Sequence, residues 1–146
     1  MQLGPSLDAD SAGDAARIFV LTGPSGLGSE KAARLLERAV AESGLGRAKL
    51  QVLAGTAAVR LARARAMSGG LVVALGAETA AILLSRMVSM PLERGKVRAL
   101  PQGGRVLVTE HPATILGLSD LIARGREYRR LVAELQLAVP MRRLAA

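Results

Sequence analysis

The residues best placed for chemistry lie in Arg105-Val106-Leu107-Val108-Thr109-Glu110-His111-Pro112-Ala113-Thr114-Ile115-Leu116, which holds the chain's single histidine. Val106, Leu107 and Val108 predict a short buried strand. Thr109 to Pro112 then emerge at its carboxyl end, where open α/β sheets place their ligands. An imidazole at that point can donate a hydrogen bond or pass a proton near neutral pH. The same residue also reads as an ordinary exposed loop histidine ahead of a turn-forming proline, and spacing alone does not choose between the two.

A second candidate is Gly23-Pro24-Ser25-Gly26-Leu27-Gly28. It follows an apolar run and precedes a helical pattern, the setting in which phosphates bind at a helix N-terminus. A phosphate loop would continue with lysine and then serine or threonine, whereas this chain continues with Ser29 and Glu30. The point charge for the β and γ phosphates is missing, because Lys31 arrives two positions late on another side of the helix. Glu30 puts a negative charge where phosphates would sit. These residues argue for a plain strand-to-helix turn over nucleotide binding by a degenerate phosphate loop.

The elements that must hold both candidates are legible from periodicity and turn residues. Residues 1–15 are rich in Gly, Ser, Asp and Ala and read as a flexible lead-in. Arg17 to Leu21 predict a first strand. From Ser29 to Ser43 the pattern is helical, with Ala32, Leu35, Leu36, Ala39 and Val40 on one face, Ser29 as N-cap and Gly44 as the stop. Leu50 to Leu53 predict a second strand, and residues 57–67 a short helix carrying Arg60, Arg63 and Arg65. Leu71 to Leu75 is apolar on both faces, as a central parallel strand should be, and a helix from Ala77 to Met87 follows. Lys96 to Leu100 and Arg105 to Thr109 flank the turn Pro101-Gln102-Gly103-Gly104. The final helix, Ser119 to Leu137, is expected to bury Leu121, Ile122, Tyr128, Leu131, Val132 and Leu135. Arg124, Arg126, Arg129 and Arg130 form its solvated face. Alternating strands and helices predict an α/β domain over residues 16–138, followed by a basic tail, residues 139–146.

Composition limits the chemistry further. The chain has 146 residues and no cysteine, which excludes disulfides, thiolate zinc sites and cysteine-ligated iron–sulfur clusters. No carboxylates cluster with the one histidine, so neither a metal nor another cofactor is expected. Phe19 and Tyr128 are the only aromatic residues, which leaves no stacking platform for single-stranded nucleic acid. The net charge of +8 favours an anionic partner, DNA first, although an arginine-rich composition can also arise without a binding role. Asp8, Asp10 and Asp14 stand where an export signal would be basic, and Glu78 interrupts the longest apolar run. A cytoplasmic protein without a membrane segment is the expectation.

Several blocks resemble one family in order and spacing. Val72-Val73-Ala74-Leu75-Gly76-Ala77-Glu78-Thr79-Ala80 is followed by Arg94-Gly95, then by Val106-Leu107-Val108-Thr109-Glu110-His111-Pro112-Ala113. Glu127-Tyr128 with Val132 and Leu135 closes the series. Over nearly half the chain these blocks resemble the C-terminal half of bacterial uracil-DNA glycosylases, closest to the branch of iron–sulfur and covalent uracil-trapping enzymes. Gly23-Pro24-Ser25-Gly26 and the helix after it resemble, less closely, the family's pocket loop and following helix.

The resemblance implies a three-layer α/β/α sandwich around a small, mostly parallel central sheet. It implies a DNA partner, base flipping and hydrolysis of the N-glycosidic bond of uracil, with His111 stabilising the departing base. Pro112, Ala113, Thr114, Ile115 and Leu116 would form the DNA-binding loop, Ile115 and Leu116 acting as an apolar wedge. Gly23, Pro24, Ser25 and Gly26 would line the substrate pocket. The chain departs from the family at several points: Ala113 replaces a serine and Gly117 a basic residue, the activating segment is missing, and the sequence contains no asparagine to read the base. A non-catalytic DNA-binding protein of the same fold is the alternative expectation.

Overall fold

A run of five apolar residues without polar alternation can satisfy both its faces only inside a sheet covered on both sides. Leu71–Leu75 is such a run, and all five residues are buried. The computed structural model describes residues 18–22, 26–45, 50–68, 70–101 and 103–139. Its strands are β1 (Ile18–Leu21), β2 (Leu50–Leu53), β3 (Leu71–Leu75), β4 (Val97–Ala99) and β5 (Arg105–Thr109). Its helices are α1 (Glu30–Ser43), α2 (Thr56–Met67), α3 (Ala77–Leu84), α4 (Met90–Glu93), α5 (Pro112–Leu116) and α6 (Leu121–Gln136). The strands form one sheet in the order β2-β1-β3-β5-β4. Only β4 runs antiparallel, pairing Val97 with Leu107 and Ala99 with Arg105 at one edge. The architecture is α/β with a mixed, mostly parallel sheet. The expected lead-in 1–15, loop residues Gly23, Pro24 and Ser25, and tail residues 140–146 lie outside the described residues.

Strand alternation sends side chains to two separate cores. Leu71, Val73, Leu75 and Leu107 pack on one face against Leu36 and Val40 of α1, Ile115 of α5, and Leu131 and Leu135 of α6. On the other face Val72, Ala74, Val106 and Val108 meet Ala58, Ala62 and Ala66 of α2 and Ala80 and Leu83 of α3. Each fully buried leucine contributes about 1.5–3 kcal/mol. The alanines of α2 recur every fourth residue, so they line one side of the helix with methyl groups, and Val59 packs beside them.

The ends of α1 follow the sequence expectation. Ser29 Oγ accepts the Ala32 N–H at 3.1 Å, and Gly44 closes the helix. Two expectations are corrected. Helix α3 stops at Leu84 instead of Met87, because Ser85 turns into the left-handed region at φ 58°. Leu121 and Ile122, placed in the buried stripe of the last helix, are 72% and 78% exposed. They occupy the first turn of α6, whereas full burial begins only at Leu131. Among the described residues no helix is long and apolar enough to cross a membrane.

The connection from α3 through α4 to β4 carries little apolar burial of its own, and an ion cluster staples it. Arg86 grips Glu93 with both terminal nitrogens at 2.7 and 2.6 Å, and Arg98 Nε adds a third bond at 3.2 Å. The Arg86 hydrogen bonds are the main reason the Glu93 carboxyl is held at about 2, below the ordinary 4.5; burial works against them. An unfolded chain therefore binds the proton first as pH falls. The cluster's stabilisation is complete above pH 4.5 and is lost as pH drops towards 2. Glu93→Gln should lower the urea midpoint at neutral pH and remove that portion of the acid slope. Parallel midpoints for the two proteins across this window would refute the assignment.

Candidate functional site

From β1 the chain passes to β2 on one side and to β3 on the other, so the order reverses between β1 and β3. Open α/β sheets leave a crevice at such a switch point, outside the carboxyl ends of the strands. A cavity of about 450 Å3 lies there. Thr22 and Gly26 line it after β1, Gly76 to Thr79 after β3, and Glu110, His111 and Thr114 after β5. Gly76 is shaped for this position. Its φ of 95° suits glycine, its N–H donates to the Thr109 carbonyl at 2.8 Å, and a Cβ on it would stand 3.4 Å from the His111 Cβ.

His111 is the N-cap of α5, and its ring is engaged at both nitrogens. Nδ1 accepts the Ala113 N–H at 3.0 Å, which assigns the ring proton to Nε2. Nε2 then donates to the Gly26 carbonyl at 3.0 Å. The half-buried imidazole thus carries a fixed donor on the crevice wall. Glu110 accepts the His111 N–H at 3.1 Å through one carboxylate oxygen. Glu110 and Glu78 bring two carboxylates to the crevice that the sequence reading did not assign to it. For Glu110 the available signal was its adjacency to His111; Glu78 offered only its place just after a strand end.

Of the expected pocket loop, Gly26 lines the crevice, and Gly23, Pro24 and Ser25 lie outside the described residues. The expected DNA loop is corrected in part. Ile115 is 1% exposed and packs in the core with Leu131 and Leu135, so it is not available as a wedge. Pro112 is also buried, Leu116 is half-buried, and Ala113 and Thr114 are exposed. At the start of α1 the Ser29 hydroxyl is spent on its own helix, and Glu30 pairs with Arg34 at 2.5 Å. Among the described residues no three His, Cys, Asp or Glu side chains gather to hold a metal ion.

Sequence reasoning also missed what anchors the histidine. Thr109, two residues earlier, is fully buried and donates its hydroxyl to Glu134 of α6 at 2.5 Å. Glu134 in turn accepts two bonds from Arg94 Nε, at 3.0 and 2.8 Å. Arg94 Nη1 reaches the Glu127 carboxylate and Nη2 the Glu127 carbonyl at 3.4 Å. The sequence blocks contained Arg94 and Glu127, but nothing linked them to residue 134.

Removing one partner from such a buried ion pair leaves an uncompensated charge. Glu134→Ala should cost about 3–5 kcal/mol in urea unfolding. Thr109→Val should cost about 1–2 kcal/mol, and the double variant less than the sum. At the cap, His111→Ala should lose about 1 kcal/mol. His111→Asn should recover most of that loss, because asparagine also caps helices. An asparagine variant as unstable as the alanine one would assign the loss to the Gly26 contact instead.

No protein-family model and no curated protein sequence matches this chain, so a functional reading rests on the residues of the crevice and on the sequence blocks.

Proposed function

We propose that this chain is a uracil-DNA glycosylase-like protein, a three-layer α/β/α sandwich that engages DNA and takes a base into the crevice between β1, β3 and β5. The observation that carries this reading is the Nε2–H of His111, held against a carbonyl oxygen on the crevice wall. A uracil carbonyl is the same kind of acceptor, so its O2 can replace the Gly26 oxygen without a change of tautomer. In hydrolysis the bond between C1′ and N1 breaks and its electron pair leaves with the uracil. The charge spreads onto O2, where the Nε2–H stabilises it. Water adds at C1′ and gives up a proton, for which Glu110 is a carboxylate at hand. The net charge of +8 supports a DNA partner.

A non-catalytic DNA-binding protein of the same fold is the second reading. The burial of Ile115 and the lack of any asparagine favour it. Incubation with a uracil-containing oligonucleotide, followed by alkaline cleavage, separates the two. Under the first reading strand breaks accumulate and fall by about a hundredfold in His111→Ala. Breaks no more frequent than in that variant remove hydrolysis, and binding that weakens steeply with salt then supports the second reading. No binding at low salt removes both.

A further inference from the structure

A second concave surface lies between α1 and α6, a groove of about 670 Å3 that shares no lining residue with the crevice. Arg34 and Arg38 line it from α1, Arg124 and Arg129 from α6, and Glu42 is its one carboxylate. Glu42 is already neutralised: Arg38 Nε donates to it at 3.1 Å and the Tyr128 hydroxyl at 2.7 Å. The Arg38 guanidinium also lies 4.8 Å from the centre of the Tyr128 ring. Arg124 spends Nε and one terminal nitrogen on the Leu118 carbonyl. Arg129 has no ion-pair partner among the described residues. Arg34 pairs with Glu30 on its own helix at 2.5 Å, but four arginines against Glu42 and Glu30, each with five N–H donors, leave the rim with unfilled donors and a positive excess.

The floor is apolar. Leu35 and Tyr128 form part of it, and Leu121 projects into it at 72% exposure. Ile122, beside Leu121 on the first turn of α6, is 78% exposed. A nucleic-acid backbone would match the arginines and leave these side chains uncovered. A helix with carboxylates on its flanks and leucines on its inner face matches both, and two helices lying side by side offer the groove that such a helix fills.

We propose that the α1/α6 groove is a docking site for an acidic amphipathic helix of a partner protein. The leucine face covers Leu121 and Leu35, and the carboxylates pair with the arginine rim.

Tyr128 is the chain's one tyrosine and there is no tryptophan, so intrinsic fluorescence reports directly on the groove. The probe is a synthetic helical peptide with leucine at every third or fourth position and glutamate between. It should give a saturable change in Tyr128 fluorescence; its lysine–leucine counterpart should give none, and a leucine-free glutamate peptide should bind about tenfold more weakly. Arg34→Glu combined with Arg129→Glu should weaken the glutamate–leucine peptide by at least about tenfold. Leu121→Ser should weaken it by about fivefold, with far-ultraviolet circular dichroism unchanged in all variants. Equal binding of the three peptides, or no saturable change, overturns the proposal and needs no variant to show it. So does a duplex oligonucleotide that competes for the site and is weakened by the arginine changes but not by Leu121→Ser, which would make the groove a nucleic-acid surface.

Discussion

The contact on which the candidate site depends is the buried pairing of Arg94 with Glu134. Their side chains are only 5% and 6% exposed, so both charges have left water and must find all their partners inside the protein. Glu134 receives two bonds from Arg94 and one from Thr109, and Arg130 lies 3.5 Å away. A leucine pair of similar volume would fill the space at lower desolvation cost. It would not fix the rotation of α6 against β5, because apolar contact has no direction. The ion pair is directional, and in the observed arrangement the Glu134 carboxylate meets both Arg94 and Thr109. Gly95 belongs to the same constraint: a Cβ there would stand 3.2 Å from the Glu134 carboxylate, and its φ of 81° favours glycine.

This constraint reaches the crevice through a single residue. The Thr109 side chain is tied to α6 and its carbonyl to Gly76 at the start of α3. The end of β5 is therefore held by α6 on one face of the sheet and by the end of β3 within it, immediately before Glu110 and His111. The two cores contribute the rigid frame, since β3 and β5 send alternate residues to each and neither face can shift without disturbing the other. Charge supplies direction at the strand end, and aliphatic packing supplies stiffness along the strands.

Features set by one local segment were legible in the sequence. The caps of α1, the five-residue buried strand β3 and the placing of His111 at a strand end all depend on neighbours within a few positions. What periodicity reports is a helix face, not how much of that face a neighbour covers. Leu121 and Ile122 continue the apolar period of α6 and still stand in solvent, because the packing partners lie farther along the helix. Ile115 shows the converse: read as a loop residue beside the histidine, it became a candidate wedge, and only the short helix α5 turns it into the core. The Arg94–Glu134 pair spans 40 residues and three elements, and no spacing rule connects its members.

The two bonds of the His111 ring decide what the crevice can do. The cap requires a lone pair on Nδ1, so the ring works as a neutral donor through Nε2 while α5 keeps its first turn. A doubly protonated ring could not accept the Ala113 N–H, and the cap would be lost. The Gly26 carbonyl that now occupies Nε2 is one acceptor of a common type. While that contact stands the Nε2–H is spent, and opening it leaves the Gly26 carbonyl without its donor, at a cost of about 1–3 kcal/mol unless another group replaces it. The site is consequently built to place one hydrogen-bond donor against a carbonyl oxygen.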